Sequence, residues 1–473
     1  MVNRFQRGAG GADPRPPSGG TVDGLSGDGE ADSSSSAAWV DGSRLRSFLR
    51  ALGDLGTADR KDDVVVSVFG DSHVAADFFT GALRRALQRA FGNGGRGFVP
   101  IGKPYRSFRQ DDVATGLSGQ WKTVMPRLGG GTTTKASERS DALYGLGLVA
   151  LESSDGLARA WTEMRASSTR MDLSFAPLAD GGTFDVWVDG RHRARVATAP
   201  PASGSLRVTF PPGAHTVEVR PRGDGPVRIQ GAAFDTDSVG VVVDAFGVNG
   251  ARAESFLRAE GSHWERLLAQ RTPSLVVLAF GTNEADDDTV PAADDERALR
   301  SLVERVQRAV PGAACLLVGP PDRAVRAKDG FITPPKLFEV VAAVRRVAKD
   351  GGCAFLDQLS LMGGPGAMAR WAHEAEPRAQ LDYVHFTKKG YALMGERLGA
   401  LLLQTLREQG YAIQGFAPPK ARGRAPITPP PAALPSLPNP QRETLAPPLS
   451  EPLDEGLRTR RSRARARQRT DPQ

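Results

Sequence analysis

The run Val64-Val65-Val66-Ser67-Val68-Phe69 ends abruptly in Gly70-Asp71-Ser72-His73. Apolar, β-branched residues without polar alternation make a strand buried on both faces, which calls for a parallel sheet covered by helices on either side. Gly-Asp-Ser then opens a helix, expected over residues 72–91. A serine so placed stands at the C-terminal edge of a sheet, where open α/β folds keep their ligands. The unpaired N–H groups of a helix's first turn also favour a developing oxyanion there. An ordinary strand-to-helix turn uses the same three residues, so the motif gains weight only from partner residues farther along the chain.

Three further strand ends supply them. Val241-Val242-Val243-Asp244-Ala245-Phe246-Gly247 runs into Val248-Asn249-Gly250, where a backbone N–H can approach a substrate closely. Leu275-Val276-Val277-Leu278-Ala279-Phe280 runs into Gly281-Thr282-Asn283-Glu284, with Asn283 able to offer a side-chain amide. Near the C-terminus, Asp382 and His385 lie three residues apart, just before an amphipathic segment over 389–406. A carboxylate at that spacing can accept the Nδ1–H of the imidazole and leave Nε2 as a base for Ser72. Taken singly, each has a plainer reading: a turn asparagine, or a helix-capping aspartate beside a surface histidine.

In this order the residues resemble the four blocks of the SGNH hydrolases, or GDSL esterases. The resemblance assigns Ser72 as nucleophile, Asp382 and His385 as its partners, and the N–H groups of Ser72 and Gly250 with the Asn283 amide as oxyanion hole; Gly247 is the alternative position for the glycine. One departure is visible, Asn283-Glu284 where the family often has Asn-Asp. Longer strings, among them Ala76-Asp77-Phe78-Phe79-Thr80, Phe91-Gly92-Asn93-Gly94-Gly95-Arg96-Gly97-Phe98 and Asp382-Tyr383-Val384-His385-Phe386, resemble the bacterial peptidoglycan O-acetylesterases. The similarity spans roughly residues 60–410. It implies an α/β fold, a three-layer αβα sandwich on a parallel flavodoxin-like sheet, carrying an inserted antiparallel β-sandwich similar to a carbohydrate-binding module.

The pattern along the chain agrees. Alternating or apolar runs at 171–175, 183–188, 205–210, 216–220 and 227–234 are separated by Gly181-Gly182, Asp189-Gly190, Pro211-Pro212-Gly213 and Gly223-Asp224-Gly225, which reads as short antiparallel strands with turns. Beyond them, helices over 255–270, 296–310 and 337–349 alternate with strands at 274–280, 314–319 and 353–356. The expected organisation is a disordered start (1–40), a first part of the α/β core (41–109), the β insertion (110–238), the second part of the core (239–415) and a disordered tail (416–473). Trp121, Trp161 and Trp187 in the insertion are either core residues or sugar platforms. Trp187 and His73 are the candidate substrate contacts, and Asp71 is expected to brace the turn before Ser72.

The tail is Pro-rich and ends in an arginine run, with eleven Lys/Arg against five Asp/Glu over 416–473, so it carries about +6 of the formal +7. The body is thus near neutral and gives no case for a specific nucleic-acid partner; the tail is suited to anionic polymers or surfaces, or is simply solvated. Cys315 and Cys353 each begin a core strand, with buried free thiols the default and a disulfide across neighbouring strands the alternative. Neither has zinc-site spacing, and no cofactor or metal is called for. The first 60 residues show neither a signal segment nor a membrane span. The resemblance implies the cell envelope or periplasm, which leaves an upstream start, another export route or a cytoplasmic enzyme open.

The expected activity is that of a serine esterase removing O-acetyl groups from an acetylated glycan, peptidoglycan by resemblance, through an acyl-serine. Three alternatives stand beside it. The same acyl-enzyme can pass acetyl to a sugar hydroxyl, as an O-acetyltransferase; the chain can be a lipase-type hydrolase, though the sequence shows no apolar lid segment; or it can be a non-catalytic wall-binding scaffold.

Overall fold

The computed structural model describes residues 39–57, 60–128, 137–328 and 330–411. The Gly/Ser-rich start and the basic tail lie outside them. Five parallel strands form the central sheet, in the spatial order Val241–Gly247, Val64–Gly70, Leu275–Ala279, Ala314–Val318, Ala354–Leu356, with Trp39–Val40 added antiparallel at the last edge. Numbered along the chain, the parallel strands run 2-1-3-4-5, the flavodoxin-like order. The order reverses beside Val64–Gly70, so a crevice opens where Ser72 follows that strand.

Alternate side chains of each strand serve opposite cores. Val64, Val66, Val68, Leu275 and Val277 pack with the helices Arg46–Gly56, Phe78–Phe91 and Lys388–Glu408. Phe69, Val276, Leu278, Leu317 and Phe355 pack on the other face with Gly261–Arg271, Ala292–Ala309 and Pro335–Asp350. This is the expected three-layer α/β arrangement.

Between the first two parallel strands the chain builds a nine-stranded antiparallel sheet around a separate core that includes Met164, Phe175, Phe184, Val217 and Phe234. Its long strands, Arg159–Phe175 and Ser205–Pro221, pair along most of their length. The turn expected at Pro211-Pro212-Gly213 is instead a bulge within one strand, with register shifts between Thr209, Gly213 and His215. His215 secures it, its Nε2 lying 2.8 Å from the Pro211 carbonyl and its Nδ1 2.7 Å from Asp189. The polar edge strand Arg191–Ala197 carries no apolar signal, so its residues alone do not announce it. Gly95–Val99 also belongs to this sheet, pairing with Val227–Asp235.

Two helices expected as continuous are broken. Ser72–Ala75 and Phe78–Phe91 are separate because Asp77 takes a left-handed φ of 58°. The region 253–271 divides into Ala253–Leu257 and Gly261–Arg271, the second capped by Glu260, which accepts from the N–H groups of Ser262 and His263.

Cys315 and Cys353 are joined in a disulfide with a Cα–Cα distance of 4.7 Å, which corrects the default of free thiols. Their strands are neighbours and both side chains enter the same core. The bridge closes a loop of separation 38, for which chain entropy gives a stabilisation of about 2–4 kcal/mol. The Cys315→Ala/Cys353→Ala double variant is expected to lose that amount in denaturant titration, and reductant to shift the wild type equally.

Candidate active site

The ends of three strands meet in register: Gly70 stands opposite Gly247 on one side and Ala279 on the other. The short Ser72–Ala75 helix lies directly across this edge. A Cβ on Gly247 would sit 2.2 Å from the Ala75 nitrogen, so glycine there clears the space the helix occupies. Gly247 is therefore a packing position, and the alternative alignment falls away. Asp71 caps the helix, its Oδ1 accepting from the His73 N–H at 2.9 Å.

At the top of this turn Ser72 Oγ lies 2.8 Å from His385 Nε2. His385 Nδ1 lies 2.8 Å from Asp382 Oδ2. An ionised carboxylate can only accept, so Nδ1 carries the proton and Nε2 is left to receive one from the Ser72 hydroxyl. Asp382 also accepts from the N–H groups of Val384 and His385 through Oδ1. Against the burial that raises it, these bonds and the imidazole hold its carboxyl below the usual range. The intervening Tyr383 adopts φ 57°, which turns the chain so tightly that the two side chains meet. Gln380 braces the loop, its N–H donating to the His385 carbonyl and its amide to that of Phe386.

Gly250 and Asn283 line the same groove as Ser72 and His385. Gly250 takes φ 81°, and neither its N–H nor that of Ser72 donates to an acceptor among the described residues. Asn283 Nδ2 donates one hydrogen to the Ala251 carbonyl at 2.9 Å, which fixes the amide and leaves its second hydrogen for a ligand. Sequence, fold and geometry thus bring Ser72, Gly250, Asn283, Asp382 and His385 to one place.

The other two expected contacts, His73 and Trp187, lie outside this groove. His73 is buried against the rings of His385, Phe386 and Tyr391 and does not line the groove. Burial, with the neighbouring imidazole, pushes it down to about 3, so it is neutral, with Nδ1 3.2 Å from the Tyr391 hydroxyl. Trp187 lies on the Thr183–Val188 strand, outside the groove, with the Arg220 guanidinium 4.1 Å from its ring centre. That stacked cation covers one face of the ring.

Glu284 reads in the sequence as a neutral departure from Asn-Asp, and the structure gives it a task. It is buried, and its two oxygens accept from the N–H groups of Ala253 (3.1 Å) and Gly281 (3.0 Å). One carboxylate thereby ties the segments that carry Gly250 and Asn283. Burial, then the nearby Asp71, pushes it up to about 7. Asp71 itself is raised by burial to about 6 despite hydrogen bonds from His73 and Thr282. The loop 103–109, which lines the groove with Lys103, Arg106 and Arg109, is a second element that sequence reasoning misses. Its signal is the basic-aromatic string Lys103-Pro104-Tyr105-Arg106-Ser107-Phe108-Arg109, which lies inside the region assigned to the core.

Residues 221–393 match the model of the GDSL-like lipase/acylhydrolase family. The match takes in Gly250, Asn283, Asp382 and His385 and begins after Ser72. The structure superposes on a peptidoglycan O-acetylesterase "in action" with a TM-score of 0.63 and 26% identity, covering 76% of this chain and 96% of that one. A family two carbohydrate esterase from Clostridium thermocellum in complex with cellohexaose gives a TM-score of 0.24 at 14% identity, covering 54% and 96% of the two chains. The acetylxylan esterase Axe2 from Geobacillus stearothermophilus gives 0.26 at 18% identity, covering 36% and 73%. No curated protein sequence matches the chain. Residues 221–393 are thus similar to the GDSL-like acylhydrolases, and the whole described body shares the fold of the peptidoglycan O-acetylesterase structure. In chemical terms the chain is a carboxylic ester hydrolase.

Asp71 and Glu284 bind protons more tightly folded than unfolded, so their contribution to stability is full below their ordinary values of 3.8 and 4.5 and is lost as pH rises through about 6 and 7. In thermal melts from pH 4 to 8 these two carboxyls are expected to pull stability down across that window, against the rise contributed by His73 and His263, which take up protons only in the unfolded chain. Asp71→Asn keeps the helix cap, removes one of the two carboxyls, and is expected to weaken that pull.

Proposed function

We propose that the chain removes O-acetyl groups from peptidoglycan through an acyl-serine intermediate. The observation that carries this reading is the continuous line of 2.8 Å contacts from Ser72 through His385 to Asp382, opening on a groove with unused donors. Its substrate rests on the likeness to the peptidoglycan O-acetylesterase, which extends over most of both chains.

His385, oriented by Asp382, takes the Ser72 proton as Oγ attacks the acetyl carbonyl. The tetrahedral oxyanion is met by the N–H groups of Ser72 and Gly250 and the free hydrogen of the Asn283 amide. His385 then gives the proton to the departing sugar oxygen, and the C–O bond to the sugar breaks. A water, deprotonated by the same Nε2, attacks acetyl-Ser72, and acetate leaves as the proton returns to Oγ. Buried neutral His73 gives His385 an uncharged neighbour, so the imidazolium formed at each step meets no second cation there.

The proposed setting is the cell envelope. The Cys315–Cys353 bridge supports it, since such bonds persist in oxidising compartments. No described helix is long and apolar enough to cross a membrane.

Acetate release from purified O-acetylated peptidoglycan, with acetylxylan in parallel, tests the reading. Ser72→Ala is expected to reduce release to background with the fold intact, and near-normal release would end the assignment. Asn283→Ala is expected to lower kcat by about 10²–10³. Asp382→Asn, acting through orientation, is expected to cost less than losing Ser72 or His385.

A further inference from the structure

Three cations line the groove of about 870 Å³ that holds Ser72: Lys103, Arg106 and Arg109. All three are exposed, and none has a carboxylate partner among the described residues, whereas arginines elsewhere on the body are widely paired. The acid lining the groove, Asp286, is itself paired with Arg323. The nearest acid along the chain from Arg109 is also taken, Asp111 lying 3.0 Å from Arg85 and 3.1 Å from Lys388. Arg109 is held in place, its guanidinium 5.3 Å from the centre of the Phe78 ring. Unpaired like charges on one loop repel, and nothing in the described fold compensates them.

We infer that Lys103, Arg106 and Arg109 form an anion-binding wall that selects esters on sugars bearing a carboxylate. This deepens the peptidoglycan reading and rests on it: in that polymer the esterified sugar carries a lactyl ether, whose carboxylate supplies the negative charge where it is free, and the peptide's own carboxylates supply it where the lactyl group is amide-linked. The three residues are specificity determinants, with no part in the bond-breaking steps. Being exposed, each contributes modestly and is screened by salt, so the discrimination expected from three is about tenfold.

The matched pair 6-O-acetyl-N-acetylmuramic acid and 6-O-acetyl-N-acetylglucosamine differs only by the lactyl group, and acetate release from each by the full chain gives the test. Wild type is expected to favour the carboxylated sugar by about tenfold in kcat/KM at low ionic strength, with the ratio shrinking as NaCl is raised. The Lys103→Ala/Arg106→Ala/Arg109→Ala variant is expected to bring the ratio near one. The charge-keeping Lys103→Arg/Arg106→Lys/Arg109→Lys variant is expected to retain it. Equal kcat/KM for the two sugars in wild type, or a preference that survives the alanine variant, would overturn the inference. Ser72→Ala run beside them separates the failures. Cleavage of both sugars that depends on Ser72 but shows no preference removes only the anion wall. Cleavage of neither, or cleavage indifferent to Ser72, removes the esterase reading and the wall with it.

Discussion

A helix can lie across the end of a sheet only if no side chain holds the two apart. Here Gly247 and Gly70 supply that clearance, and the four-residue helix that begins at Ser72 sits on bare backbone. Everything at the site is measured from this contact. It sets the height of the Ser72 hydroxyl above the strand ends, and so the position that the His385 loop and the Gly250 and Asn283 turns must reach. The parallel sheet is the ruler, because its strands end in register at Gly70, Gly247 and Ala279.

The buried carboxyls around this edge show how environment divides one chemistry into two behaviours. Asp77 is buried among cations: Arg84 approaches it at 2.9 Å and Arg96 at 2.5 Å, and together they hold it below its usual range against the burial that would raise it. Asp71 and Glu284 are equally enclosed but receive their hydrogen bonds from neutral groups, and both are raised. The first is a fixed charge that locks a turn. The other two are acceptors whose charge is costly, and they organise the N–H groups of the loops around them.

Much of this is legible in the residues. The apolar strands are readable because burial on both faces suppresses alternation, and the Asp382–His385 pair because three residues are enough for a carboxylate to meet an imidazole. What escapes is set by partners far along the chain. The helix break at Asp77 depends on Arg96, and the role of Glu284 depends on the N–H of Ala253. His73 looks like a site wall in the sequence because it adjoins Ser72, but the helical turn sends it to the opposite side, under Phe386 and Tyr391. The disulfide requires knowing that two strands distant in sequence are adjacent in the sheet.

Arg96 belongs to the Gly95–Val99 strand of the antiparallel sheet, yet its guanidinium closes the buried charge at Asp77, where the segment bearing Ser72 turns into its next helix. Nearby, Asp244 on the parallel sheet accepts from the Phe98 N–H, and Arg271 clamps Asp244 to Asp235 on the antiparallel one. The two sheets therefore are not beads on a string. Removing the antiparallel segment to leave a minimal hydrolase would strand Asp77 with half its countercharge and take the Phe98 donor from Asp244. A chain wired in this way inherits its glycine-lined edge and its second sheet together, and an attempt to exchange one for a foreign module has to carry Arg96 across the cut.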